Sequence, residues 1–269
     1  MAAVVSFQYK REDPLDEGFT YAKVIRLQEN GFCIALFHAA SKQIVQLEQY
    51  LFDDACTLKE KIGCISEVEK KWDFKSVSII GPTRINTQIP LSFHNDRNND
   101  LYLPLLTKDP YHYQVLVETV NPFQLCNVSA WNKDLYLMLK EQFPNCQLKS
   151  EMAVLLQLLS HLTGDSKLLV FLESGYMRLL ASRNGKLLGA NGFAFEGKND
   201  FLYYLVGFAQ TMFGEIAEPD VHLMGDIERT SLLYVSMQKY FSRIHFVNLG
   251  YTDLQHQIHR FCDLLYEEA

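Results

Sequence analysis

Two short stretches carry residue types that can do chemistry. Glu173-Ser174-Gly175 lies between the apolar runs KLLVFL and YMRLLAS, and Gly225-Asp226 follows VHLM. An acid beside a glycine at a strand end can serve a phosphorylated ligand. The carboxylate supplies a hard oxygen for hydrated Mg²⁺, and the missing side chain lets backbone N–H groups approach phosphate oxygens. A third turn, His38-Ala39-Ala40-Ser41-Lys42, also separates two apolar runs but holds neither acid nor glycine. Lys42 can meet a phosphate by itself, although a lysine at a hairpin tip is ordinarily just solvated.

Other constellations are weaker. His256 and His259 stand three apart near the end of the sequence, with Asp253 one turn earlier. The spacing suits a metal, but no fourth ligand accompanies it and a solvated helix face accounts for it. Two-metal nuclease chemistry needs several carboxylates converging from central strands. Glu173 and Asp226 can supply two, and the remaining strands are apolar. Ser41 and Ser174 have no nucleophile-elbow signature, and His38 on an apolar strand reads as a hydrogen-bonded structural residue.

These residues must be positioned by regular elements, and most of those are legible. Residues 1–20 read as an irregular leader with a turn at DPLDEG (13–18). YAKVIRL, GFCIALFHAA and QIVQLEQYLF read as three strands, rich in β-branched and aromatic residues. TLKEKIGCISEVEKKW (57–72) switches to helical spacing, with Thr57 and Glu60 in capping-box register. SVSIIG is a buried strand. RINTQIPLSFHNDRNNDLYLPLL, with two prolines and the polar cluster 94–100, reads as an exposed loop. YHYQVLVETV, FQLCNVS and CQLKSE read as strands, with helices over 132–143 and 152–163.

The pattern then restarts. KLLVFLES, YMRLLASRN and KLLGANGFAF give three strands, the last two joined by Asn184-Gly185, a type I′ hairpin signal. A helix over 201–213 capped by Asn199-Asp200, a strand over 220–226, a helix over 229–241 and a strand over 243–249 follow. An amphipathic helix capped by Thr252 closes the sequence. The second half therefore reads β-β-β-α-β-α-β-α, and the first half opens in the same way. Element order implies a duplicated α/β unit, with halves at 21–150 and 151–269.

Composition sets bounds on function. The chain has 269 residues, 48% of them hydrophobic, enough for a sizeable core. A formal net charge of −7 without a Lys/Arg block argues against nucleic acid as a partner. MAAVVSFQYKRED lacks the basic start and the apolar length of a signal peptide, and FLYYLVGFAQTMF is too short to span a bilayer. The six cysteines, Cys33, Cys56, Cys64, Cys126, Cys146 and Cys262, form no CxxC pair, as expected of reduced structural thiols. A cytoplasmic protein with no transmembrane segment is expected.

The stretches FCIALFHAASKQIVQLEQYLF, TQIP with the following YLPLL, NGFAFEGKNDFLYYLVGFAQ and VHLMGDIERTSLLYVSMQKYF resemble an uncharacterised family of Bacteroidetes, a domain of unknown function. That family is distantly similar to the actin-like assembly proteins of type IV pili and type II secretion. The resemblance implies a duplicated ribonuclease H-like, actin-like ATPase fold: two mixed β-sheet halves flanked by helices. Relatives of that fold hold Mg-nucleotide in the cleft between their halves. The corresponding residues here are Lys42, Glu173, Gly175, Gly225 and Asp226. With the first turn lacking acid and glycine, and the last keeping one glycine, the expectation is a non-catalytic scaffold or adaptor without a cofactor. The alternative is a divergent Mg-dependent ATPase or phosphotransferase. The helix at 201–213 is apolar nearly all round. It is either buried or a surface for a protein partner or second copy, with Phe201, Tyr203, Tyr204 and Phe208 as its anchors.

Overall fold

The computed structural model describes residues 3–11, 21–38, 43–52, 56–69, 77–214, 218–250 and 257–266. They fall into two compact units. One is drawn from Met1–Val120, Gln124–Val154 and Leu264–Ala269, the other from Asn121–Phe123 and Leu155–Asp263.

The first unit contains β1 (Ala3–Lys10), β2 (Tyr21–Gln28), β3 (Gly31–His38), β4 (Ile44–Phe52), α1 (Leu58–Glu69) and β5 (Ser78–Gly81). It continues with β6 (Asn86–Pro90), α2 (Leu103–Leu106), β7 (Tyr113–Val120), β8 (Leu125–Asn132), α3 (Lys133–Gln142) and β9 (Gln147–Ser150); α4 (Glu151–His161) begins in it. Six strands form one sheet in the order β1-β4-β3-β2-β5-β9, and β6-β8-β7 form a separate small sheet. Strands β2 and β3 are buried along almost their whole length, which is why they read as continuous apolar runs instead of alternating ones. Ile25, Phe32, Ile34 and Ile79 pack with Ile65 and Val68 of α1 and with Leu139 of α3. The capping box forms as the sequence predicts. Thr57 N–H donates to Glu60 Oε2 at 2.8 Å, and Glu60 N–H returns to Thr57 Oγ1 at 3.4 Å.

The second unit contains β10 (Ser166–Glu173), β11 (Tyr176–Arg183), β12 (Lys186–Ala194), α5 (Lys198–Phe213), β13 (Asp220–Gly225), α6 (Leu232–Met237) and β14 (Ile244–Phe246); α7 (Cys262–Tyr266) follows. Its sheet runs β12-β11-β10-β13-β14. Strands β10, β11 and β12 are antiparallel neighbours, whereas β13 and β14 run parallel to β10. The first sheet has the same plan: β4-β3-β2 antiparallel, then β5 and β9 parallel. Asn184 and Gly185 both take positive φ, 50° and 74°, completing the type I′ turn expected between β11 and β12. Leu168, Val170 and Leu172 of β10 pack on Phe201, Leu205, Phe208 and Phe213 of α5.

Several sequence expectations need correction; α5, for one, starts at Lys198 with Gly197 at its N-cap, so Asn199 and Asp200 lie inside the helix. Residues 3–10 are not an irregular leader: β1 pairs antiparallel with β4, from Ala3↔Phe52 to Lys10↔Gln46. As an edge strand β1 has one bonded side and mostly exposed side chains, so its sequence shows little apolar signal; the DPLDEG turn lies outside the described residues. Within the expected 84–106 loop, Asn86–Pro90 form β6, which pairs with β8. The helix expected over 229–241 is confined to Leu232–Met237, because Ser231 accepts from Tyr234 N–H and starts it late. Near the end, a 3₁₀ turn at Ile258–Arg260 is separated from α7 by Phe261, while Thr252 is not among the described residues.

Candidate functional site

At the β10–β11 turn, Glu173 and Tyr176 are paired and only Ser174 and Gly175 lie between them. Gly175 takes φ +70°, a conformation that favours glycine, and its carbonyl accepts from Phe195 N–H at 2.9 Å. Glu173 is partly exposed at the strand end, and both turn residues face solvent.

Gly225 ends β13 directly beside this turn, because Leu172↔Gly225 is the last pair of the β10–β13 ladder. Register therefore brings Glu173 and Asp226 to the same end of the sheet. Gly225 has φ +88°, and a Cβ there would sit 2.0 Å from the Leu172 carbonyl oxygen. Its glycine is thus explained by strand packing. The donors of this turn are also engaged: Asp226 N–H bonds Leu172 O at 2.8 Å and Ile227 N–H bonds Gly225 O at 2.9 Å. The Asp226 carboxylate accepts from Arg260 Nη2 at 3.1 Å. Two N–H groups and one carboxylate oxygen of this turn are therefore engaged within the protein.

In the first unit, His38 N–H closes on Gln43 O at 2.9 Å and the His38 ring stands edge-on to Tyr21. Lys42 lies outside the described residues, as do Ser41, Asp253 and His256. His259 is not on a solvated helix face: it is buried and its Nε2–H donates to Ile227 O at 2.7 Å. Burial holds its pKa below the usual histidine value despite that bond, with Arg260 adding to the effect. Among the described residues no cluster of three or more His, Cys, Asp or Glu side chains is arranged to hold a metal. All six cysteines are free thiols.

The α5 face is sorted by helical period. Phe201 and Phe208, expected as interface anchors, are core residues of the second unit, at 0% and 8% exposure. They share a stripe with Leu205, Ala209 and Phe213 that faces β10 and β11. Tyr203 is 75% exposed, and Tyr204 is half-buried, stacked on Phe193 of β12 with ring centroids 4.8 Å apart.

Two groups escape sequence reading altogether. A cavity of about 450 Å³ opens beyond β13 and β14, lined by residues 228–230, 246–248 and 257–260. These three segments are brought together only by the parallel pairing of β13 with β14 and the return of the chain at 257–260. In the first unit, Glu118 of β7 reaches the junction of β9 and α4. Its carboxylate accepts from Ser150 N–H at 3.0 and 3.1 Å and from the Ser150 hydroxyl. Asn127 Nδ2 donates to Ser150 Oγ at 2.9 Å, and Gln88 Nε2 donates to Asn127 Oδ1 at 3.0 Å. Burial outweighs the Ser150 hydrogen bonds and pushes the Glu118 pKa up to about 7. The only sequence signal was Ser150 before an apolar helical run: its hydroxyl accepts from Ala153 N–H at 3.3 Å, an N-cap.

Two sheets with the same antiparallel-then-parallel plan, flanked by helices, define a duplicated ribonuclease H-like unit, the actin-like ATPase fold. The chain belongs to the family described as "Protein of unknown function (DUF3822)", which it matches over residues 19–244. Solved structures agree on the fold. A protein from Bacteroides thetaiotaomicron, with actin-like ATPase fold and unknown function, is 20% identical with TM-score 0.73, covering 91% of this chain and 95% of that one. The PilM–PilN type IV pilus biogenesis complex contains a chain 11% identical, TM-score 0.60, with 92% and 97% covered. The cytoplasmic domain of EpsL, an inner membrane component of the Vibrio cholerae type II secretion system, is 13% identical, TM-score 0.54, with 93% and 94% covered. No curated protein matches the chain.

Proposed function

We propose that the chain is a non-catalytic binding scaffold or adaptor of actin-like fold, in which nucleotide chemistry has been lost. The observation that carries this reading is the closed turn at 225–227: its N–H groups bond Leu172 and Gly225, and its acid bonds Arg260. An architecture that keeps its form without those free groups retains surfaces instead of a reaction. The PilM–PilN type IV pilus biogenesis complex, one chain of which shares this fold, offers a precedent for a chain of this fold within a protein complex. Tyr203 and Tyr204, with Phe193, supply an aromatic surface suited to a protein partner or a second copy. Work in the cytoplasm is in keeping with six free thiols, and no helix among the described residues is long and apolar enough to cross a membrane. The acidic balance disfavours nucleic acid.

The second reading, a divergent Mg-dependent ATPase or phosphotransferase, draws on Glu173 and Asp226 sharing one end of the sheet. A thermal-shift titration with Mg-ATP separates the two. The scaffold reading expects no saturable shift, and a saturable shift at micromolar nucleotide contradicts it.

A further inference from the structure

The cavity beyond β13 and β14 has a different chemistry from the closed turn beside it. At about 450 Å³ it has the size of a small-molecule pocket. It lies past the carboxyl ends of two parallel strands, where the chain leaves the sheet and a crevice opens.

Among its charged lining residues, Arg229 is the one placed to meet a ligand. Arg229 lies over the Phe246 ring, 4.8 Å from the centroid, and its Nη1 reaches Tyr234 Oη at 3.5 Å. The ring contact holds the guanidinium near Phe246, and apart from the Tyr234 bond its N–H groups have no partner among the described residues. Among the described residues no carboxylate oxygen lies within 4.0 Å of Arg229. Arg260, also on the lining, is tied to Asp226. Asn248 uses its Oδ1 to accept from Gly250 N–H at 2.9 Å, which leaves its NH₂ as the group to offer. Thr230 and Gln257 add neutral polar groups; among the described lining residues Glu228 is the acid, and Phe246, Val247 and Ile258 are apolar.

We infer that this cavity binds a small molecule that carries one oxyanion, a carboxylate or a phosphate, gripped by Arg229, with an apolar body against Phe246 and Ile258. A guanidinium presents paired donors to a planar or tetrahedral oxyanion, and the Phe246 ring limits where Arg229 can place them. A single arginine reads one acidic group.

The probes are benzoate and phenyl phosphate, with phenol as the uncharged control, titrated by calorimetry at low salt into wild type, Arg229→Gln and Tyr203→Ser. At least one of the two acids is expected to bind saturably and phenol not to bind. Whichever acid binds identifies the oxyanion, and Arg229→Gln weakens it about tenfold or more. Tyr203→Ser leaves it unchanged. No saturable binding of either acid overturns the inference, as does equal affinity in Arg229→Gln, or phenol binding as tightly as the acids. Mg-ATP is titrated separately. Acids that bind without Mg-ATP support both this site and the scaffold reading, whereas Mg-ATP binding with neither acid overturns both.

Discussion

Arg260 donates through Nη2 to Asp226 Oδ1 at 3.1 Å, across 34 residues of sequence. The pair is partly exposed, so it adds at most about 1 kcal/mol to stability. Its importance is chemical. The acid next to Gly225 is held by a cation, and the peptide N–H of the same residue is held by Leu172. A carboxylate so engaged is poorly placed to organise water around magnesium, and the scaffold reading grows from that relationship.

Gly225 is expected to tolerate no side chain. At φ +88°, with the Leu172 carbonyl oxygen 2.0 Å from a built Cβ, Gly225→Ala should lower stability by about 3 kcal/mol or more. Gly207, inside α5 with open space around its Cβ position, should behave in the opposite way. Gly207→Ala is expected to stabilise by about 0.5–1 kcal/mol. Urea midpoints of the two variants check both signs.

Glu118 gives a pH signature. Its pKa is 4.5 in the unfolded reference and about 7 when folded. Below pH 4.5 both states carry the proton and burial of the acid is harmless. Between 4.5 and about 7 the unfolded chain releases the proton while the folded chain keeps it, so stability falls as pH rises. The loss reaches up to about 3 kcal/mol. Glu118→Gln should remove this dependence, and the stability difference between variant and wild type should move in favour of the variant across that window. Urea unfolding at a series of pH values measures it; parallel curves for the two proteins contradict the account.

On α5, Phe201→Ala is expected to cost about 3–5 kcal/mol, as for a buried core phenylalanine. Tyr203→Ser, at a 75% exposed position, should stay within about 0.5 kcal/mol of wild type. Thermal melts of the two separate core from surface. For a dimer anchored by Tyr203, Tyr203→Ser should turn dimer to monomer in light scattering and remove any dependence of the melt on protein concentration.

How far the sequence was legible depended on whether the signal was local. The Asn184-Gly185 hairpin, the Thr57/Glu60 cap and the buried runs of β2 and β10 are decided within a few residues, and they could be read directly. Strand β1 was missed because an edge strand needs no apolar alternation: its partner β4 lies more than thirty residues away, as the 40-residue separation of Gln8 and Glu48 illustrates. Gly225 reads in the sequence only as a strand-end glycine beside an acid, and its close approach to Leu172 appears only once β10 and β13 are in register. The Arg229 pocket and the Glu118–Ser150 contact join segments that no spacing rule connects. On α5, a helix apolar nearly all round hid which aromatics face inward, and only packing against β10 and β11 sorted Phe201 and Phe208 from Tyr203.

The measurement that bears most directly on the scaffold reading is calorimetric titration of Mg-ATP into wild type and Glu173→Ala. With the Asp226 and Ile227 N–H groups bonded and the Asp226 carboxylate held by Arg260, no saturable heat is expected up to millimolar nucleotide in either protein. Micromolar binding by wild type that disappears in Glu173→Ala would contradict the reading and establish a working nucleotide site at the end of β10.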